Sequence, residues 1–159
     1  MKTFSKSLKF IALTLAVSST IGFTACTEVE ESIPQTNQSV ESVDLSTLVT
    51  KGDNFVIINA DTDYYSINKT TLASYMGQLK SDGLIDYTVS DGMLTSLNGV
   101  SNPADWSYCW MLYSNDADVV NTTYGTYDID GVTYTSAAVG MDILPIKDGY
   151  KYVWIYISF

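Results

Sequence analysis

The chain has 159 residues and a formal net charge of -10, with 46% hydrophobic and 16% charged residues. That length and composition suit one globular domain and exclude a multidomain enzyme or a disordered chain. The sequence holds no histidine and no arginine, so the commonest general base and the planar phosphate-binding fork are both missing, and nucleic acid is not an expected partner.

Lys2, Lys6 and Lys9 precede the apolar run from Phe10 to Val17, and a stretch rich in small and polar residues follows from Ser18 to Ala25. This order reads as a signal peptide over residues 1–25. The run falls short of the roughly 20 apolar residues that span a bilayer. Phe23-Thr24-Ala25-Cys26 resembles a bacterial lipobox, with Phe23 where leucine is usual. The resemblance implies lipidation at Cys26 and a location in the bacterial cell envelope, extracytoplasmic and lipid-anchored to a membrane. Residues 26–45 carry five acids and no aromatic residue, which predicts a solvated acidic tether. From Cys26 onward the chain keeps all 18 acids and 5 of its 8 lysines, a net charge of -13.

The folded domain is expected over residues 46–159. Asn54 to Ala60 reads as a first strand, an apolar run between Lys51-Gly52-Asp53 and Asp61. From Lys69 to Asp82, Leu72, Tyr75, Met76 and Leu79 recur at helical spacing, with Thr70 or Thr71 able to cap the start and Gly83 to end the helix. A hairpin follows, Ile85 to Val89 and Met93 to Leu97, turning at Asp91-Gly92, with Asn98-Gly99 turning the chain again. Trp106 to Tyr113 is a strand with large side chains on both faces. Tyr150 to Phe159 is apolar or aromatic on both sides and belongs inside a sheet. One helix with four or five strands predicts an α+β domain.

The order of a helix, then Tyr87 to Val100, then Trp110-Met111-Leu112-Tyr113-Ser114-Asn115, then Ile146-Lys147-Asp148-Gly149 leading into Tyr152 to Tyr156, resembles the DUF4430 family. That family is similar to the C-terminal domain of the vitamin B12 carriers transcobalamin and intrinsic factor. The resemblance covers roughly Thr71 to Tyr156 and implies a small β-grasp-like mixed sheet on one helix. Asp116 stands where the family usually has glycine, and Tyr150 where it often has another acid. The likeness to the carriers would set Trp110 to Asn115 near a bound cobamide. With no imidazole to offer, the protein would hold such a ligand through its ring and side chains.

Little else points to catalysis, and an enzyme is not expected. Cys109 lies between Tyr108 and Trp110 with no histidine to activate it, so it reads as a small buried hydrophobe without a disulfide partner. The acid pairs Asp61/Asp63, Asp116/Asp118 and Asp128/Asp130 lack the further oxygens of a calcium loop and read as solvated turn residues. No metal and no required cofactor follow from these residues. The aromatic surplus, 12 Tyr, 5 Phe and 3 Trp, exceeds what a core of this size needs. Trp106, Tyr108, Trp110, Tyr113 and Asn115 are therefore the candidate ligand-binding residues, for a corrinoid or another soluble small molecule. The alternative partner is a surface protein or cell-wall polymer held by the same aromatic face, as in an adhesion module.

Overall fold

The computed structural model describes residues 43–65 and 70–158, all within the compact unit Val40–Phe159. The expected signal peptide, the expected lipidation site at Cys26 and the expected tether up to residue 42 lie outside the described residues. Val43 packs onto the core, and Asp44 caps a 3₁₀ turn, Leu45–Thr47, by accepting the Ser46 N–H. The folded part thus takes in the last residues of the expected tether.

Nine strands and one helix follow: β1 Val49–Lys51, β2 Phe55–Asn59, α1 Leu72–Ser81, β3 Tyr87–Ser90, β4 Met93–Leu97, β5 Val100–Ser101, β6 Tyr108–Ser114, β7 Thr126–Ile129, β8 Val132–Ser136 and β9 Lys151–Ser158. They form a six-stranded sheet in the order β1-β2-β9-β6-β8-β7 and a separate sheet, β3-β4-β5. Every pairing is antiparallel. The α+β reading, with one mixed β-grasp-like sheet of four to five strands, is therefore overturned: the domain is mostly β, 42% strand against 12% helix, and its main sheet is curled.

Two physical reasons account for the difference. The β3–β4 hairpin does not extend the main sheet but is bolted to it by side chains. Asn102 donates from Nδ2 to the Leu94 carbonyl and accepts the Trp110 N–H, the Trp110 indole donates to the Val100 carbonyl, and the Tyr156 hydroxyl donates to that of Ser101. The second reason is a further hairpin, β7–β8, between Tyr113 and Tyr150, where the expected elements include no strand. Its strands are Thr- and Tyr-rich, and Asp130-Gly131 turns it with φ of 51° and 78°. Asp91-Gly92 (51°, 79°) and Asn98-Gly99 (48°, 86°) repeat that geometry. Two consecutive positive φ values match the right-handed twist of the flanking strands, and glycine takes the second position without a Cβ penalty.

β9 lies between β2 and β6, so both of its faces need cover, as its sequence requires. On one face α1 lays Leu72, Tyr75, Met76 and Leu79 against Val56, Ile58, Tyr152 and Trp154. Thr71 caps the helix through the Ser74 N–H. On the other face Tyr134 of β8 packs with Ile57, Tyr113, Val153 and Ile155, joined by Ile129 and Val132. The curl of β7–β8 thus replaces a second helix. Each large side chain buried in this way stabilises the fold by about 1.5–3 kcal/mol.

The Tyr75 hydroxyl is the polar pin of the helix face, donating to the Asn59 carbonyl at 2.8 Å and accepting the Asp61 N–H at 3.2 Å. Burial pushes its pKa up to about 12. Tyr75→Phe keeps the ring and strips both backbone partners, so the unfolding free energy should drop by about 1–2 kcal/mol. Chemical denaturation measures it, and an unchanged midpoint would show the pin to be idle.

Candidate functional site: a tryptophan-lined cleft beside β6

β6 pairs with β9 along its whole length, from Tyr108 to Ser114, but with β8 only at Tyr113 and Ser114. Beyond that point the chain leaving β8 turns away. Ala137 still donates to the Leu112 carbonyl, Ala138 donates to that of Val119, and Ala73 of α1 donates to that of Met141. A gap opens beside Cys109 to Leu112. Gly92, Met93 and Leu94 wall it on one side, and Ala137 to Met141, except Ala138, on the other. The resulting cleft has a volume of about 190 Å³.

All three tryptophans of the chain, Trp106, Trp110 and Trp154, line this cleft, and so do three of its five methionines, Met93, Met111 and Met141. No lining side chain carries a charge. Methionine sulfur is polarisable and adapts to irregular apolar guests, while indole offers a flat ring face. Cys109 also reaches the cleft; it is a free thiol, and burial pushes its pKa up. No base stands by to make it a nucleophile.

Trp106 is the unusual residue. It is 45% exposed, and its backbone is left-handed, with φ of 57°. The turn that holds it closes with the Trp106 N–H donating to the Pro103 carbonyl, and Asp105 accepts from the N–H and hydroxyl of Ser107. A bulky residue held in that region costs on the order of 1–3 kcal/mol, and such strain clusters at binding sites.

Of the five residues expected to bind ligand, the structure brings two together, Trp106 and Trp110. Tyr108 stacks on Tyr156 with ring centroids 5.4 Å apart and does not line the cleft. Tyr113 lies buried on the opposite face of the sheet, where its hydroxyl donates to the Tyr124 carbonyl and its pKa is pushed up to about 12 by burial. Asn115 fastens the end of β6 to β9, accepting the Lys151 N–H at 2.8 Å. Met111 falls inside the segment Trp110 to Asn115 that the resemblance sets near a ligand, whereas Met93, Met141 and Val139 carry no local signal for the site, because they reach it only through the folding of distant segments.

The acid pairs also divide. Asp116 is not a solvated turn residue: it is buried, and both of its oxygens lie 3.2 Å from the Lys147 ammonium. Lys147 also pairs with exposed Asp118. The Asp61 carboxylate closes its own turn, accepting the N–H groups of Asp63 and Tyr64. Among the described residues no three Cys, Asp or Glu side chains form a group able to hold a metal ion. Comparison of the chain with family models, with curated proteins and with solved structures finds no match, so the DUF4430 resemblance rests on its short motifs alone.

Lys147→Met strands the buried Asp116 carboxylate. Breaking a buried pair costs about 3–5 kcal/mol, reduced here to about 2–3 because the lysine is 41% exposed. Asp116→Asn in the same chain should restore most of the loss. A double variant no more stable than Lys147→Met alone would contradict this. Lys147 also holds the Asp118 carboxyl below its ordinary range, so that pair contributes fully above about pH 4 and loses its contribution as the pH falls through the depressed pKa.

Proposed function

We propose that the chain is an exported, lipid-tethered binding module whose cleft beside β6 captures a small apolar or aromatic ligand without transforming it. One observation carries this reading: an exposed tryptophan is held in a strained backbone at an uncharged cleft walled by the other two tryptophans. Folding alone gives no reason to keep a bulky, half-exposed side chain at a positive φ. The size of the cleft sets the class of guest. An apolar cavity of about 150 Å³ takes a benzene ring, and drug-sized pockets begin near 300 Å³. At about 190 Å³ the cleft fits a substituted ring and falls well short of a corrin, so the geometry lends no support to a cobamide. Tethering rests on the charged start, the apolar run and the lipobox-like residues before Cys26. No described helix is long and apolar enough to cross a membrane.

With every tryptophan at the cleft, indole emission reports occupancy directly. Titration with benzyl alcohol should give a saturable change in fluorescence. Trp106→Gly should weaken that binding at least about fivefold while leaving the unfolding midpoint unchanged or slightly raised, because glycine relieves the left-handed backbone. Equal binding by wild type and variant would remove Trp106 from the site, and no saturable binding by the wild type would remove the reading itself.

The tether is checked separately in a bacterial host. Replacing the expected acyl acceptor, Cys26→Ser, should shift the protein from the membrane fraction to the soluble one, or leave it unprocessed. Unaltered membrane retention and processing would count against the anchor.

A further inference from the structure

We infer that the guest of the cleft is a small organic cation, an aromatic or aliphatic body carrying an ammonium group. The inference rests on the binding reading above and adds the charge of the ligand. From Ser81 to Ile146 the sequence holds nine aspartates and no lysine, arginine or histidine. Every residue lining the cleft except Trp154 belongs to that stretch. Three of the nine aspartates are chain neighbours of lining residues: Asp91 beside Gly92, Asp105 beside Trp106 and Asp142 beside Met141. All three are exposed. Asp142 reaches the lip itself, since a Cβ built on Gly140 would stand 2.8 Å from its Oδ1.

The described lysines do not offset this field. Lys80 is paired with Asp86 at 2.9 Å, Lys147 serves Asp116 and Asp118, and Lys51 and Lys151 line no part of the cleft. An anionic guest would enter against uncompensated negative charge. A cation gains twice, from the Asp142 carboxylate at the lip together with the exposed aspartates adjoining lining residues in the chain, and from indole faces, whose quadrupole attracts ammonium groups. Methionine sulfur adds a polarisable surface without a competing charge.

Three probes that share a benzyl or phenyl body separate the contributions: benzyltrimethylammonium, benzyl alcohol and benzoate, each titrated against tryptophan emission of the folded chain at low and at high salt. The cation should bind about tenfold tighter than the alcohol at low salt, lose much of that margin at high salt, and exceed benzoate by more. The variant carrying Asp91→Asn, Asp105→Asn and Asp142→Asn should lower affinity for the cation several-fold and leave the alcohol unchanged. If the alcohol binds and the cation binds no tighter, or if the triple variant affects both alike, the charge assignment falls while the apolar cleft stands. If none of the three binds, the cleft reading falls with it. A fourth probe, the peptide lysyl-phenylalanyl-lysine, tests the other source of a cationic aromatic group. Binding more than tenfold tighter than benzyltrimethylammonium would overturn the small-molecule assignment in favour of a basic peptide.

Discussion

The fold depends on one strand, β9, which pairs on both edges and is buried on both faces. Its register sets Val153 between Ile57 and Tyr113, and Trp154 between Val56 and Leu112. A strand of alternating large side chains cannot leave either face wet, so two separate coverings must be found for it. The helix supplies one, through Tyr75, Met76 and Leu79. The curled β7–β8 hairpin supplies the other, through Tyr134, Ile129 and Val132. Neither covering is local in sequence, which makes the long antiparallel pairing of β6 with β9 the element that brings them into reach.

Polar groups then fix the arrangement that apolar burial only favours. Asn102 bridges the Leu94 carbonyl of the small sheet and the Trp110 N–H of β6, while the Trp110 indole and the Tyr156 hydroxyl donate to the Val100 and Ser101 carbonyls, so two sheets that share no ladder are tied to each other by side chains. At the opposite end of β6, Ser114 accepts the Asp116 N–H and donates to the Lys151 carbonyl, while Asp116 meets Lys147. Both ends of the strand are tied by side chains, and its middle is left to the cleft. The cleft is therefore a consequence of strand lengths: β6 has seven residues, and its pairing with β8 spans two of them.

What could be read from the sequence follows the range of the signal. The helix, β2, the β3–β4 hairpin and the two aromatic strands announce themselves within ten residues or so, through period, cap and turn chemistry. The β7–β8 hairpin carries the same Asp-Gly turn as β3–β4, and polar and apolar or aromatic residues alternate on both sides of it, in Thr126-Tyr127-Asp128-Ile129 and Val132-Thr133-Tyr134-Thr135, so its signal stands in the sequence although β7 is almost wholly exposed. β1 and β5 are too short, at three and two residues, to show any period. The mixed β-grasp expectation came from the family resemblance and from counting one helix with four or five strands; neither carries sheet order, and the structure sets β3-β4-β5 apart as its own sheet and adds β1, β5, β7 and β8. At the site, Trp106 and Trp110 could be named because aromatic excess is visible in composition. Met93 and Met141 could not, since they come from segments joined to β6 only by tertiary structure.

The methionines of the cleft and the aspartates next to it in the chain bring two features of the composition together. A net negative charge keeps a small domain soluble, and that need alone would scatter acids over its surface. Here nine of the 18 acids fall in the stretch that builds the apolar opening, while the four described lysines lie before or after it. An uncharged floor inside an acidic surround is an arrangement that solubility does not ask for. Low-dielectric walls focus a surrounding field into an opening, so on the charge assignment inferred above the aspartates would act on a guest although none of them lines the floor. Trp106 sits where the two properties join, its ring at the apolar cleft and its neighbour Asp105 held ionised by Ser107. A ring and a carboxylate fixed side by side in a strained turn make a pair suited to a ligand that is apolar and positively charged together.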